Sequence, residues 1–439
     1  MDRFRIVGPC RLAGAVRASG AKNAALPCLA AALLTDQELI VDHAPRVRDL
    51  ATMRRLLGHL GIESRDDGDA LRLAPGDPPN PASSPSPDDA PYELVKTMRA
   101  GVLVLGPLLA RRGRARVSLP GGCAIGVRPI DQHLAGLEAL GARVELDHGY
   151  VTAAAPRLRG ARFRFAMPTV TGTENLLMAA VLARGTTRLE NCAREPEVVD
   201  LARLLTAMGA RIDGAGGETI EVEGVDRLGG ARHTVIGDRI EGGTYLLGAA
   251  LTGGDVTLAG AEADHLAPLL EQLAECGAAV EVEADSIRVQ GTGALRARDV
   301  ETAPHPGFPT DLQAQYLVLM TQARGAARVR ETVFENRFAH AAELVRMGAD
   351  IRVEGRTAQV HGPTPLAGAS VMATDLRASA CLVLAGLAAH GTTVVDRIYH
   401  LDRGYEAMER KLQSLGARVE RLSGDARVET TGKAAEGDP

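Results

Sequence analysis

Apolar and polar positions along this chain follow two rhythms, and the pair of rhythms repeats six times. In each copy an Ala/Leu-rich stretch runs into a turn and a short alternating segment, then a second helix-like stretch ends in a turn of the form Leu-Gly-Ala before another alternating segment. The second turn recurs as Leu60-Gly61-Ile62, Leu140-Gly141-Ala142, Met208-Gly209-Ala210, Cys276-Gly277-Ala278, Met347-Gly348-Ala349 and Leu415-Gly416-Ala417. Its glycines lie 80, 68, 68, 71 and 68 residues apart. A glycine just past an amphipathic run suits the left-handed position that ends a helix. The period-two runs after it, such as 142–146, 279–283 and 417–421, predict half-buried strands. The first turn recurs in the segments beginning at Leu33, Leu108, Val181, Ala250, Met320 and Leu387. Each unit therefore reads helix, strand, helix, strand over about 70 residues.

Six units in two sets of three predict two similar α/β domains. Repeats also build solenoid scaffolds, but such a unit is long for a solenoid and no copy reads as a cap. The expected division is 22–237 for one domain, 1–21 plus 238–425 for the other, and a disordered polar tail over 426–439. The longest interval, the first, contains a Pro/Ser-rich surface loop over 74–91.

Composition narrows the function classes. At 439 residues the chain exceeds the usual size of one core. A net charge of −5, six Phe, six Tyr and no Trp argue against a nucleic-acid-binding surface. The opening MDRFRIVGPC does not read as a secretory signal, and no stretch predicts membrane insertion, so cytoplasmic location is expected. Six scattered cysteines without a Cys-x-x-Cys pair, and histidines without a ligand spacing, predict neither disulfides nor a metal site. No cofactor motif is present either, and the sequence names no protein partner.

Some segments break the repeat and carry candidate chemistry. Lys22 and Asn23 follow Gly20 and open an Ala-rich helix, where free N–H groups attract anions; a solvated lysine at a helix start fits the same pattern. Cys123 is flanked by Gly121, Gly122 and Gly126, with Arg128 five residues on; a thiol near a cation is reactive, and a buried inert thiol is the alternative. Asp311 follows prolines 304, 306 and 309, which fits catalysis or helix capping. Arg99, Arg337, Asp375, Arg377 and Arg403 are candidates for clamping phosphate and carboxylate groups, or surface ion pairs.

Longer motifs carry a resemblance. Gly20-Ala-Lys-Asn-Ala-Ala-Leu-Pro27, Leu119-Pro-Gly-Gly-Cys-Ala-Ile-Gly126, Ala193-Arg-Glu-Pro-Glu197, the run 303–315 containing Phe308-Pro-Thr-Asp311, Thr332-Val-Phe-Glu-Asn-Arg-Phe338, the run 372–380 and the run 391–405 ending Asp402-Arg-Gly-Tyr405 lie in order along the chain. In these it resembles the UDP-N-acetylglucosamine 1-carboxyvinyltransferase family of enolpyruvyl transferases. The resemblance implies two inside-out α/β barrels of three units each, with an active site in the cleft between them. It implies phosphoenolpyruvate and UDP-N-acetylglucosamine as substrates and the first committed step of peptidoglycan synthesis. Lys22 and Asn23 would bind phosphoenolpyruvate, and Arg128 and Arg403 would hold its phosphate and carboxylate. Arg99, Arg128, Pro129, Ile130, Asp131, Gln132, Asp311 and Val333 would line the sugar-nucleotide site, and Arg337, Asp375 and Arg377 would shape the cleft and its closed state. Cys123, on a lid, would be the general acid and Asp311 the base. The segment 167–170 carries over weakly, and the loop at 74–91 is longer than the family pattern. A shikimate 3-phosphate enolpyruvyl transferase would share the repeats but lack the Cys123 loop and the Phe308–Asp311 and Asp402–Tyr405 stretches. A non-catalytic sugar-nucleotide sensor is the other rival, disfavoured because every candidate position holds a competent residue.

Overall fold

The computed structural model describes residues 1–76, 88–119 and 129–423. The tail 426–439 and most of the Pro/Ser-rich loop therefore lie outside the described residues.

All six Leu-Gly-Ala glycines have φ between +87° and +105°, where a side chain would be strained. In five of those turns the amide after the glycine donates to the carbonyl five residues back, at 2.9 or 3.0 Å: Ala142 to Leu137, Ala210 to Leu205, Ala278 to Leu273, Ala349 to Leu344 and Ala417 to Leu412. The repeated tripeptide is thus a helix stop whose bond satisfies an otherwise orphaned carbonyl.

The alternating segments form six four-stranded sheets, twice the number of strands that periodicity predicts for each unit. In the third sheet Arg162–Arg164 runs parallel to Thr186–Glu190, which pairs antiparallel with Thr219–Glu223, which in turn pairs antiparallel with Arg211–Asp213. The other five sheets repeat this plan. The leading strands, as short as Asp89–Ala90 and Val300–Glu301, are too brief to show a period. In four of the sheets only two or three residues separate the hairpin partners, so their alternation merges into one run.

Each leading strand follows the preceding unit in the chain, and this closes both sets into rings. Ala231–Thr234, which follows the third sheet's hairpin, leads the first sheet by pairing with Leu39–Asp42. Ala13–Arg17 leads the fourth sheet through Asp255–Ala259. Arg3–Gly8 completes the sixth, between Gly391–Asp396 and Val419–Leu422. Buried apolar residues accordingly fall into two cores, one from Ala21 to Ile236, the other from Phe4 to Ala18 and Ile240 to Val419.

Six helices fill the ring centres: Lys22–Ala30, Leu105–Arg112 and Val170–Ala180 in one, Arg239–Leu251, Gln313–Gln322 and Leu376–Ala388 in the other. All 13 residues of Arg239–Leu251 are buried. A helix buried all round has no polar face, which is why these segments read as Ala/Leu/Gly runs. With helices inside and half-exposed sheets outside, each ring is an inside-out α/β barrel. Among the described residues no helix is long and apolar enough to cross a membrane.

The chain passes between the two cores at residues 18–21 and 236–240, and the two passages lie side by side. Gly20 and Gly237 form an antiparallel bridge, flanked by Ala21 N–H donating to Ile236 O and Asp238 N–H donating to Ser19 O, both at 2.7 Å. A Cβ on Gly20 would stand 1.7 Å from the His43 carbonyl oxygen, and one on Gly237 1.7 Å from that of Gly260. Backbone cannot yield to such a contact as a side chain can. Gly237→Ala is therefore expected to lower stability by more than about 2 kcal/mol in urea unfolding. Gly58→Ala, in an exposed helical turn with nothing within 4 Å of the new methyl, should raise it by roughly 0.5–1 kcal/mol.

Candidate active site

The passages between cores place charged residues at helix starts. Lys22 is the first residue of its helix, immediately after the Gly20–Gly237 bridge, and its amide donates to Asp238 Oδ2 at 3.3 Å. The other Asp238 oxygen caps Arg239–Leu251 by accepting from the Ile240 and Glu241 amides. Asp375 caps Leu376–Ala388 in the same way, through the Arg377 and Ala378 amides. The helix starts at Lys22, Arg239 and Leu376 lie close enough together for Arg377 to act on Lys22 and for Asp238 to act on Arg377.

Two carboxylates organise that region. Asp49, side chain 7% exposed, accepts from Lys22 Nζ at 3.3 Å and from Arg403 Nε at 2.9 Å. Asp49 belongs to the first core's helix Arg48–His59 and Arg403 to a turn in the second, so this pair joins the two. Asp311 accepts from Arg337 at 2.7 Å on one oxygen and from Arg377 at 2.7 Å on the other. Arg337 also donates to Thr310 Oγ1, and the Arg377 guanidinium lies over the Tyr405 ring. Asp311 makes no cap: Thr310 and Asp311 form a short turn before Gln313–Gln322, and both side chains are engaged elsewhere. That removes the capping alternative.

The charges act on one another. Burial pushes Lys22 down from the ordinary lysine range; Asp49 works against that, while Arg377 and Arg403 push it further down. Burial pushes Asp311 up, but Arg377 and Arg337 together outweigh it and hold the carboxyl well below the usual carboxylate range. Lys22, Arg337, Arg377 and Arg403 against Asp49 and Asp311 leave an excess of positive charge. An anion entering here would meet partly desolvated cations already shared between Asp49 and Asp311, with the Asp238 carboxylate also acting on Arg377.

The other candidates form further groups. Arg99 Nη2 donates to Pro129 O at 3.4 Å. Gln132 accepts from the Ala166 and Met167 amides and donates to Met167 O, fixing the start of Asp131–Ala139, where Asp131 is exposed and Ile130 is buried. Val333 is held by its amide on Glu331. Asn23 is half-buried one residue into its helix. Cys123 and Arg128 lie outside the described residues.

Sequence reasoning missed Asp49 and Arg239. Asp49 opens an ordinary amphipathic helix and carries no motif. Arg239 forms a buried two-bond pair with Glu197 at 3.0 and 3.3 Å, and Asp311 acts on its charge. Glu195, beside Glu197 in a quoted motif that received no role, accepts from the His305 amide across the cores. The signal for this group was a Glu-Pro-Glu run with no capping or surface purpose.

Asp311→Ala should cost about 3 kcal/mol of stability near neutral pH, because two buried guanidinium groups lose their shared carboxylate. The folded-state carboxyl is depressed, so its contribution is complete above the unfolded value of about 3.9 and disappears only as pH falls through the lower folded value. Urea midpoints of wild type and variant should therefore differ by a constant amount down to about pH 5 and converge in stronger acid. Convergence that starts near pH 6 would contradict this pairing.

Residues 6–412 match the protein family described as EPSP synthase (3-phosphoshikimate 1-carboxyvinyltransferase). A UDP-N-acetylglucosamine 1-carboxyvinyltransferase of Sorangium cellulosum (strain So ce56) is 57% identical over 426 residues, covering 97% of this chain and 99% of that one. The protein of the same name from Koribacter versatilis (strain Ellin345) is 55% identical over 426 residues, covering 96% and 97%. Among solved structures, the enolpyruvyl transferase NikO from Streptomyces tendae has a TM-score of 0.84 at 28% identity, over 96% of this chain and 99% of that one. EPSP synthase from Acinetobacter baumannii, at 18% identity and a TM-score of 0.74 over 96% and 100%, shares the fold.

Proposed function

This chain belongs to the enolpyruvyl transferase family, on the UDP-N-acetylglucosamine 1-carboxyvinyltransferase branch; from that premise we propose that it moves the enolpyruvyl group of phosphoenolpyruvate onto the 3′-hydroxyl of UDP-N-acetylglucosamine and releases phosphate. The observation that carries the reading is the convergence of Lys22, Arg337, Arg377 and Arg403 on two carboxylates, Asp49, which joins the two cores, and Asp311 within the second. A substrate bearing phosphate and carboxylate groups matches that excess of cations.

In the reaction the sugar hydroxyl attacks C2 of phosphoenolpyruvate while C3 gains a proton. An enol phosphate accepts a nucleophile at C2 only as C3 is protonated, so an acid and a base are both needed. Cys123 supplies the proton, and Asp311 takes the one from the hydroxyl; when phosphate then leaves C2 of the tetrahedral intermediate, C3 gives a proton back and the enol double bond is restored. Both Asp311 oxygens are bonded to arginines, so it acts as a base only when Arg337 or Arg377 turns to a substrate anion. Lys22, with Asn23 beside it, Arg128 and Arg403 hold the phosphate and carboxylate, and they stabilise the departing phosphate by roughly several kcal/mol. Arg99, Pro129, Ile130, Asp131, Gln132 and Val333 line the nucleotide, and Asp375 fixes the helix start from which Arg377 projects. The two functional domains are 22–237 and 1–21 plus 238–425, and their closure assembles the site. The reaction is the first committed step of peptidoglycan synthesis, takes place in the cytoplasm and serves cell-wall growth, cell shape and division. It makes the chain a target of thiol-directed epoxides such as fosfomycin.

Phosphate release should require phosphoenolpyruvate together with UDP-N-acetylglucosamine. Release with shikimate 3-phosphate in its place would move the chain to the rival activity, and none with either acceptor would favour a sensor. Cys123→Asp should retain activity and resist alkylation, whereas wild type should be inactivated and protected by substrate. A wild-type enzyme indifferent to alkylators would remove Cys123 from the site. Asp311→Asn should depress kcat far more than it raises KM.

A further inference from the structure

Away from the cleft, three residues far apart in the chain meet inside the first core. Cys28 lies in the central helix Lys22–Ala30, Asp200 in the helix Pro196–Ala207, and His233 in the ring-closing strand Ala231–Thr234. Cys28 Sγ stands 3.9 Å from Asp200 Oδ2, and His233 Nε2 stands 3.0 Å from Asp200 Oδ1. One donor atom from each residue lies within 4.8 Å of the others. Cys28 and Asp200 are buried and His233 is half-buried, so one edge of the cluster remains open to an entering ion.

We propose that Cys28, Asp200 and His233 form a structural binding site for a zinc-like divalent metal ion, separate from the proposed catalytic cleft. Zinc takes thiolate, imidazole and carboxylate ligands at about 2.0–2.3 Å in a tetrahedron. That geometry separates neighbouring donors by roughly 3.3–3.8 Å. Cys28–Asp200, at 3.9 Å on Oδ2, lies just beyond that spacing and Asp200–His233, at 3.0 Å on Oδ1, just within it; with one donor from each residue inside 4.8 Å of the others, small side-chain rotations bring the three to it.

Charge and ligand type favour the same ion. A divalent cation with one thiolate, one carboxylate and one neutral imidazole is neutral overall, which suits a buried position. Binding releases the Cys28 proton to solvent and involves no change of oxidation state. A second observation points to the same place. Glu174, 1% exposed, is close enough for its charge to act on Cys28, and its Oε1 has no hydrogen-bond partner among the described residues. Water supplies the fourth ligand, and Glu174 is a nearby unpartnered acceptor.

The consequence is mechanical. The three ligands come from the first unit's central helix, a helix of the third unit, and the strand that closes the third unit onto the first. An ion there ties the ring shut and fixes the helix whose first residue is Lys22.

The test loads metal-free full-length protein with Co2+ and reads the sulfur-to-cobalt charge-transfer band, then counts bound zinc after dialysis. Wild type should bind about one ion per chain with a thiolate band, and zinc should raise its melting temperature. Cys28→Ser should lose the band and the thermal shift. His233→Gln, at a half-buried position and so a milder change, should weaken binding at least tenfold. Folding of each variant is checked by circular dichroism. Absence of a thiolate–cobalt band in folded wild type would overturn the proposal, as would a band that survives both substitutions. Neither result bears on phosphate release.

Discussion

Every sheet in this protein takes its leading strand from the unit before it, and the rest of the structure depends on that loan. Three units cannot finish their sheets as an open row, because the first would present an unpaired edge and the last a stray strand. Ala231–Thr234 and Ala13–Arg17 resolve this by joining the first and fourth sheets, and Arg3–Gly8 completes the sixth. The start of the chain therefore belongs to the second ring although the residues that follow it build the first, and the chain must pass between rings twice. Both passages pair through Gly20 and Gly237, where neighbouring carbonyls leave no room for a side chain.

The position of the charged cluster follows. Lys22 and Arg239 are the first residues of helices that start just beyond the passages, and Asp238 serves both by capping one helix and accepting the Lys22 amide. Asp49 then holds Lys22 with Arg403, and Asp311 holds Arg337 with Arg377. Cations shared in this way are partly desolvated but not neutralised one for one, so an anionic substrate competes with internal carboxylates and not with bulk water. Of these cations, Arg403 also makes the contact between rings, through Asp49.

Much of this architecture was legible beforehand. The helix-stop glycines were readable because their left-handed backbone demands glycine and their spacing exposes the repeat. Lys22, Asp311, Arg337, Arg377 and Arg403 were readable because they sit in long motifs that interrupt the repeat. The leading strands and hairpin returns were not, since two or three residues show no period and a tight turn does not break one. Asp49 and Arg239 were missed for a different reason: each occupies an ordinary helix start, and only its partner from another unit gives it a role.

The sequence by itself determined six helix–strand units, their two sets of three and the family to which the motifs belong, because periodicity, left-handed glycines and contiguous motifs are local properties. Only the tertiary structure decided which residues share a site. Cys28 lies 172 residues from Asp200, and Arg403 lies 354 from Asp49. No spacing rule reaches so far; ring closure and the paired passages between rings bring these side chains within bonding distance.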